Sequence, residues 1–324
     1  MQTWKSKMHR KINLMRFDVL TIFPGFFSGF LENGILRRAQ AEGLVEVILH
    51  DLRAFTHDRH RTVDDRPFGG GEGMVLKPEP IAEALAALGI GAKGLASAGF
   101  KTKDEVPEGL KPIDSIGAIA TTDVAPVQRL GKRLGQPEMA ASGVRPAVIL
   151  LSAQGRPFTQ AVARELVRLE RVVLICGRYE GVDERINELY CDRELSIGDY
   201  VISGGELAAA VVVDATMRLL PGVLGNEASG AFESFGAADA EIETDVEGVP
   251  RSQHGAGGLL DYPHYTRPAD FAGVGVPEVL LNGDHAQIRR WRREQQLRKT
   301  LANRPDLLEH AALSAEDRKI LDGG

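Results

Sequence analysis

Residues 172–185 read Val-Val-Leu-Ile-Cys-Gly-Arg-Tyr-Glu-Gly-Val-Asp-Glu-Arg, an apolar run that ends in glycine and charge. A second apolar run, Val148–Leu151, is followed in the same way by Ser-Ala-Gln-Gly-Arg156. Runs that are apolar at every position are typical of parallel strands that are covered on both faces. Helix-like sequence flanks both runs, so we predict an α/β fold with a mainly parallel sheet.

The alternation of strand and helix patterns extends towards the N-terminus. There the pattern predicts a strand, a helical stretch, a second strand and a helix, over Phe17–Phe23, Pro24–Leu36, Val45–Leu52 and Pro80–Leu88. Farther along the chain, Leu207–Leu220 is nearly all small and apolar. A helix of that composition is expected to be buried, including in a subunit interface.

Composition divides the chain into four predicted parts. We expect a disordered basic extension over residues 1–14 and an α/β domain over 15–225, which carries an insertion at 91–146. A linker over 226–257 then leads to a helical domain over 258–324. The insertion and the linker are rich in small residues and lack a sustained period, which is typical of surface segments.

Bulk properties restrict the class of protein. No apolar run approaches the roughly 18 residues needed to cross a bilayer, so we predict no membrane partner. The only cysteines are Cys176 and Cys191, which is too few for a disulfide framework and favours a reducing, cytoplasmic location. Neither has neighbours with zinc-ligand spacing, so we predict no metal site.

The formal net charge of −6 argues against a nucleic-acid partner unless positive charge is concentrated locally. Residues 285–299 supply that concentration, because four arginines surround Trp291 in a predicted helix. We predict that this helix binds RNA phosphates, with Arg289, Arg292 and Arg293 as contacts. The alternative is an ordinary helix whose arginines are solvated or paired with acidic neighbours.

A second candidate RNA-binding cluster lies in Phe55–Met74, which combines histidine, arginine and aspartate before a glycine run. Arginine and histidine can contact phosphates and base edges, and aspartate can accept from guanine N–H groups. A solvated loop with internally paired charges is the alternative. The predicted contacts are His57, Arg59, His60, Asp64, Arg66, Gly69, Gly70 and Gly71.

Two more features point to a ligand at one edge of the sheet. Ligands of open α/β sheets bind beyond the carboxyl ends of the strands, where both apolar runs stop. The loop Ser196–Glu206 contains glycines that permit close approach to an adenine, and Tyr200 offers an apolar wall. Arg218 stands at the end of an otherwise apolar helix and therefore needs a partner or an anionic ligand.

Four motifs, in order, resemble those of the TrmD family of bacterial tRNA (guanine-N1)-methyltransferases, in the SPOUT class. They are His57–Arg61, Gly177–Gly181, Ser196–Val201 and Leu259–Pro268. The resemblance covers nearly everything from Met15 to Leu308 except the two small-residue segments. It implies an α/β domain with a deep trefoil knot, a small α-helical C-terminal domain and an obligate homodimer with active sites between subunits.

The resemblance also implies the reaction. A methyl group would pass from S-adenosylmethionine to N1 of the guanosine at tRNA position 37, immediately 3′ of the anticodon, and the family requires Mg²⁺. By position in the motifs, the cofactor residues would be Leu151, Ser152, Gly177, Tyr179, Glu180, Gly181, Ile197, Gly198, Asp199, Tyr200, Val201, Ile202, Gly204 and Gly205.

The resemblance further implies the catalytic base, and the chemistry requires a cation as well. The family's proposed base is an Asp in an Asp-Ser-Phe motif, where this chain has Glu233-Ser-Phe235. We therefore assign Glu233 as the base that removes the guanine N1 proton, with Asp261 as the next candidate. Arg218 would stabilise the negative charge that develops on guanine O6.

Other functions remain open on the sequence. One is a different SPOUT enzyme that acts on ribosomal RNA or on a ribose hydroxyl, which needs no carboxylate aimed at a ring nitrogen. Another is a non-catalytic RNA-binding module, which would not need the glycines of the cofactor loop. A nicotinamide dehydrogenase is disfavoured because no G-x-G-x-x-G follows the first strand.

Overall fold

A computed structural model describes residues 14–93, 145–225, 233–236 and 257–323. The chain divides into two compact units, Met1–Val223 and Leu224–Gly324. The predicted N-terminal extension, apart from Leu14, lies outside the described residues. So do most of the predicted insertion and linker.

The first unit is built on a five-stranded sheet in the order β2-β1-β6-β5-β7. Its strands all pair in parallel. They are β1 (Met15–Thr21), β2 (Val45–Asp51), β5 (Ala147–Pro157), β6 (Arg171–Cys176) and β7 (Arg193–Ser196). The prediction of an α/β fold with a mainly parallel sheet is confirmed.

Helices cover both faces of this sheet. They are α1 (Ser28–Glu32), α2 (Gly34–Ala41), α3 (Pro78–Ala87), α4 (Gln160–Leu166), α5 (Glu184–Tyr190) and α6 (Gly205–Met217). Successive β6 residues face opposite sides, so Leu174 packs in one apolar cluster with Val212 of α6. Val173 packs in the other cluster with Leu85 of α3. This double coverage explains why β6 lacks polar alternation.

Strand β5 is longer than predicted and includes the residues that follow the second apolar run. We expected Ser152–Arg156 to follow the strand, but β5 continues through it. The β5–β7 pairing shifts between Leu151 and Arg156, and both residues pair with Leu195. A Cβ on Gly155 would lie 2.5 Å from the Leu195 backbone nitrogen, so the close approach requires glycine. The short strand β7 itself was not predicted.

The helical stretch after β1 is interrupted rather than continuous. A 3₁₀ turn over Pro24–Phe27 leads into α1, and α2 begins only at Gly34. Asn33 between them is extended, with φ −124° and ψ 162°, and Gly34 has φ 64°. The apolar residues keep their helical spacing across the break, because α1 buries Leu31 and α2 buries Leu36 in the same cluster. Two short strands, β3 (Asp64–Asp65) and β4 (Val75–Leu76), pair antiparallel, and Leu76 belongs to the apolar cluster on the other face of the sheet.

The two ends of the predicted insertion meet at one carboxylate. Lys93 Nζ lies 3.5 Å from Asp192 Oδ1, and Arg145 Nη1 lies 3.8 Å from the same oxygen. The other oxygen, Asp192 Oδ2, accepts the Val148 N–H at 2.9 Å. Asp192 therefore holds both ends of the segment against the start of β5.

We expect deletion of residues 96–139 to leave a folded and active protein. The anchored ends remain after the deletion, and shortening a long surface loop changes the closure entropy little. Thermal unfolding and methyl transfer are measured beside the full-length chain. Loss of the cooperative transition would show that the deleted segment packs on the core.

The described residues of the second unit form a long helix, two short ones and a small hairpin. The helices are α7 (His285–Asn303), α8 (Asp306–Glu309) and α9 (Ala315–Asp322), and the hairpin strands are β8 (Asp270–Phe271) and β9 (Val274–Gly275). Asp284 caps α7 by accepting N–H groups of Ala286 and Gln287. Across 14–93, 145–225, 233–236 and 257–323, no helix is both long and apolar enough to span a bilayer.

Candidate functional site

A cleft opens at the carboxyl ends of β5, β6 and β7, beside the start of α6. Every residue assigned to the cofactor by resemblance lines this cleft except Asp199. The segments Leu150–Arg156, Cys176–Arg185 and Ser196–Glu206, which are separate in the sequence, thus meet at one place. The cleft lies at the sheet edge where ligands of open α/β folds bind.

Glycine is required at two points in the wall of this cleft. A Cβ on Gly205 would lie 2.7 Å from the Cys176 Cα, and the Gly205 N–H donates to the Gly177 carbonyl at 2.8 Å. At Gly198, an added Cβ would overlap the ring of Tyr200. Gly205 therefore lets α6 begin directly against the end of β6, and Gly198 leaves room for the Tyr200 ring.

The lining of the cleft is acidic. Among the described residues, it carries the carboxylates of Glu180, Glu184 and Glu194 and one guanidinium, that of Arg178. S-adenosylmethionine has a sulfonium, an ammonium and a carboxylate, and so carries one net positive charge. The excess of carboxylates in the lining is the charge that such a ligand requires.

A buried network behind the cleft was not assigned from the sequence. Arg178 Nε donates to Glu206 Oε2 at 2.8 Å, and Thr21 Oγ1 donates to Glu206 Oε1 at 2.7 Å. Glu206 is 1% exposed and Thr21 is fully buried. One signal was available: Glu206 is a lone acidic residue at the start of an apolar helix, and buried charges are paired.

The end of the Phe55–Met74 loop lies against the Gly177–Gly181 motif. The Leu76 N–H donates to the Gly181 carbonyl at 3.0 Å, and the Glu180 N–H donates to the Met74 carbonyl at 3.0 Å. Burial, followed by the charge and hydrogen bond of Asp64, raises the pKa of the Tyr179 hydroxyl. The predicted RNA-binding loop therefore borders the cleft, through Asp64 and through its C-terminal end.

The other predicted RNA contacts of this loop are at the surface. His57 Nε2 lies 2.8 Å from Glu83 Oε2 of α3, so an acidic neighbour pairs with it. The remaining positions, all exposed, are Arg59, His60, Arg66, Gly69, Gly70 and Gly71.

Comparison with known proteins decides the family. The profile described as "tRNA (Guanine-1)-methyltransferase TrmD" matches residues 15–96 and 135–310. The chain belongs to this family. The unmatched residues 97–134 fall inside the predicted insertion.

Relatives are similar over nearly their whole length. A protein of Koribacter versatilis named tRNA (guanine-N(1)-)-methyltransferase is 52% identical over 307 residues, which are 95% of this chain and 97% of that protein. Proteins with the same name from Moorella thermoacetica and Geotalea uraniireducens are 44% and 43% identical over 308 residues, 95% of this chain and 96% of each relative. Members of the TrmD family are S-adenosylmethionine-dependent methyltransferases that act on guanosine 37 of tRNA.

Arg218, the predicted cation for guanine O6, lies just after α6 and is partly buried. Helical spacing places it on the same side of α6 as Leu207, Val211 and Asp214, which are exposed. Arg218 therefore lies on the same side of α6 as these exposed residues.

Glu233, the other catalytic residue of the resemblance, belongs to the second unit. Its segment is bound to the Leu259–Pro268 motif: the Phe235 N–H donates to the Leu259 carbonyl at 2.8 Å, and Ser234 Oγ accepts the Asp261 N–H at 2.9 Å. The alternative base, Asp261, uses both carboxylate oxygens locally. One accepts the Tyr262 N–H at 2.8 Å, and the other lies 3.0 Å from His264 Nε2.

The arginines of α7 differ in their contacts and in their exposure to solvent. Arg293 makes a bidentate ion pair with Asp317 of α9, at 2.8 and 2.9 Å, and its side chain is only 16% exposed. That pair joins α7 to α9, so Arg293 is better assigned to packing than to RNA. Arg292 lies over the Tyr262 ring, 4.8 Å from its centroid. Arg290 and Arg298 pair at the surface with Glu316 and Glu294.

A protein-built magnesium site does not fit the donor set of the described segments. Within 14–93, 145–225, 233–236 and 257–323, no group of three or more His, Cys, Asp or Glu side chains could hold a metal ion.

Proposed function

We propose that this protein transfers a methyl group from S-adenosylmethionine, held in the cleft, to N1 of guanosine 37 of tRNA. Membership in the TrmD family supports the reaction. The observation that carries the site is the convergence of Leu150–Arg156, Cys176–Arg185 and Ser196–Glu206 on one acidic cleft. A non-catalytic RNA-binding module would not need such a cleft beside its RNA-binding loop.

The chemistry requires one proton acceptor and one cation. Guanine N1 carries a proton and becomes a nucleophile when that proton leaves, and the charge then spreads to O6. We assign proton removal at N1 to the Glu233 carboxylate and stabilisation of O6 to the Arg218 guanidinium. The methyl donor needs no further activation because a sulfonium carbon is already electrophilic, so placement completes the requirement.

The loop of the first motif is the proposed contact for the target nucleoside. A base inside a stacked anticodon loop must leave the stack before its N1 can reach a methyl donor. The exposed side chains of Arg59, His60 and Arg66 lie on a loop whose end borders the cleft. They can contact the RNA backbone on either side of the extruded base.

Analysis of the methylated nucleoside tests this function against its nearest alternative. The purified protein is incubated with tRNA and labelled S-adenosylmethionine, and the RNA is digested to nucleosides. We expect 1-methylguanosine. A ribose-methylated nucleoside would assign the protein to the other reaction, and retention of tRNA without any transfer would favour a binding module.

We further propose that the protein is a homodimer in which α6 lies in the interface. Leu207 and Val211 are one helical turn apart on α6 and are 49% and 45% exposed. Exposed apolar residues in a stripe mark interaction surfaces in soluble proteins. Because Arg218 continues that stripe, a symmetric partner would enclose it and complete the site.

Val211→Lys should convert the dimer to a monomer and abolish methyl transfer. Burying an ammonium in an apolar interface without a partner costs several kcal/mol, on the order of the penalty for an unpaired charge. Leu189→Lys is the matched control, because Leu189 on α5 is 41% exposed but lies outside the stripe. Sedimentation velocity at micromolar concentration gives the mass. A fully active monomer of the unaltered protein would contradict the proposal.

The second unit is the proposed binding surface for the tRNA backbone. We expect Arg289→Gln together with Arg290→Gln to weaken tRNA binding and to reduce the salt slope by about 0.9 for each phosphate that is no longer neutralised. Neither residue belongs to the Arg293–Asp317 ion pair, so the substitutions leave that pair in place. Arg304→Gln with Arg318→Gln makes the same charge change elsewhere in this unit. Equal salt slopes for the two double variants would refute the assignment.

We propose that the chain from β5 to α6 forms the trefoil knot of the SPOUT class, which the tight passage of Gly205 against Cys176 supports. We also propose that the protein works in the cytoplasm, where tRNA and reduced cysteines are found. Both described cysteines are buried and free.

A further inference from the structure

We propose that Arg178 and Glu206 act as a positioning pair: they fix the loop Ile197–Gly204 and keep the wall of the cofactor cleft electrically neutral at that point. The inference rests on the proposed use of the cleft for S-adenosylmethionine. It concerns residues to which neither the sequence motifs nor the proposed chemistry assigns a role.

The first observation is that Arg178 joins the loop to the end of β6. Arg178 Nη1 donates to the Ser203 carbonyl at 3.0 Å, and the backbones of Arg178 and Gly204 form an antiparallel bridge. Ser203 and Gly204 both line the cleft. The position of the guanidinium therefore determines where this part of the cleft wall lies.

The second observation is that the guanidinium is fixed from several sides. Glu206 Oε2 accepts from Arg178 Nε at 2.8 Å, and the Phe23 ring lies 4.6 Å from the guanidinium carbon. Thr21 Oγ1 donates to Glu206 Oε1 and accepts the Phe23 N–H at 2.9 Å. Thr21 ends β1, so the loop is attached through this chain of contacts to the centre of the sheet.

The third observation explains the glycine before this pair. Gly204 has φ 172°, which any residue can adopt, so its backbone does not require glycine. Space does, because a Cβ on Gly204 would overlap the Nε, Cδ and Cζ atoms of Arg178. Gly204 thus leaves space for the Arg178 side chain, and Gly205 lets α6 approach the end of β6. Glu206 supplies the carboxylate that pairs with Arg178.

Charge gives the pair a second consequence. Among the described residues that line the cleft, Arg178 is the only cationic side chain, and the methyl donor carries a net positive charge. Glu206 cancels the charge of Arg178 at a 1% exposed position where water screens little. Without Glu206, the wall would present an uncompensated cation to a cationic ligand.

Comparison of two ligands separates this role from a merely structural one. S-adenosylmethionine is cationic at the sulfur, whereas the product S-adenosylhomocysteine is neutral there and otherwise alike. Loss of loop position should weaken both ligands, and loss of charge compensation should weaken the cationic one more. At an effective dielectric constant of about 20 and a separation of roughly 12 Å, one unit charge changes affinity about tenfold.

The experiment measures dissociation constants of both ligands by calorimetry for the unaltered protein, Glu206→Gln, Gly204→Ala and the double variant Glu206→Gln/Arg178→Gln. Asp18→Asn is the control, because Asp18 is also a fully buried carboxylate paired with an arginine of β6, Arg171. Arg171 begins β6 and Arg178 follows its end, so the control disturbs the opposite edge of the sheet.

We expect Glu206→Gln to raise the dissociation constant of S-adenosylmethionine at least tenfold and to shift the ratio between the two ligands roughly 5- to 10-fold towards the product. The double variant should restore the ratio but not the affinities. Gly204→Ala should weaken both ligands, and it carries the test of positioning if Glu206→Gln does not fold.

Two results would overturn the inference alone: affinities of Glu206→Gln within twofold of the Asp18→Asn control, or an unchanged ligand ratio while the unaltered protein binds both ligands. Absence of S-adenosylmethionine binding by the unaltered protein would instead overturn the assignment of the cleft, and this inference with it.

Discussion

Glu233→Gln should reduce single-turnover methyl transfer by about 10²–10⁴-fold, the range typical of a general base. Glutamine keeps the size and hydrogen-bonding capacity of the side chain but cannot accept the N1 proton. Rapid quench with saturating tRNA and S-adenosylmethionine measures the chemical step. Binding of the methyl donor should stay normal because Glu233 belongs to the second unit and does not line the cleft.

Two matched variants make this result specific. Glu233→Asp restores the family residue one methylene shorter and should retain substantial activity. Asp261→Asn tests the alternative base, whose two oxygens are engaged by Tyr262 and His264. If Glu233→Gln transfers methyl groups at the unaltered rate while Asp261→Asn does not, the base is Asp261.

Asp18→Ala should lower the free energy of unfolding of the first unit by about 3 kcal/mol. Asp18 is fully buried and accepts from Arg16 and Arg171, with His50 Nε2 at 2.7 Å. Removal leaves two guanidiniums without their carboxylate. They are 23% and 17% exposed, so residual solvation favours the lower end of the range for broken buried pairs.

Urea unfolding monitored by circular dichroism gives the change in midpoint and slope. Glu165→Gln is the control, because Glu165 also pairs with an arginine, Arg193, but is 53% exposed. An exposed pair contributes roughly 0–1 kcal/mol. Similar losses for the two variants would contradict the assignment of Asp18 as a buried centre of stability.

Acid should remove the contribution of Asp18. Burial alone would raise the pKa of this carboxyl, but hydrogen bonds from His50 and Arg16 and the charges of both arginines outweigh burial and lower it far below its usual range. A depressed folded-state pKa means that the contribution is present above about pH 4, the unfolded pKa, and is lost as the pH falls towards the folded value. The difference between the unaltered protein and Asp18→Asn should therefore shrink below about pH 4.

The fold class could be predicted because β5 and β6 carry their signal locally. Four consecutive apolar residues in Val148–Leu151 indicate a strand with two covered faces, wherever its neighbours lie. The continuation of β5 through Gly155 could not be predicted, since it depends on pairing with Leu195, about 40 residues away. Strand β7 also depends on pairing with a distant segment, and two of its four residues are charged, so it was not predicted.

The cleft could be outlined because its residues sit in long motifs that follow predicted strands. The network behind it was missed because Thr21, Arg178 and Glu206 come from three separate segments, and nothing in the sequence places them together. At Arg293, residue type alone favoured an RNA contact that the packing of the helices does not support. A cationic helix predicts phosphate binding, but only the fold shows that Asp317 of α9 already occupies that guanidinium.

The central claim, methylation of guanosine 37, is tested most directly with two tRNA transcripts that differ only at that position. One carries guanosine and the other adenosine, and each is incubated with labelled S-adenosylmethionine and the unaltered protein. We expect 1-methylguanosine in the first transcript and no label in the second. Equal labelling of both transcripts, or label on a ribose, would contradict it.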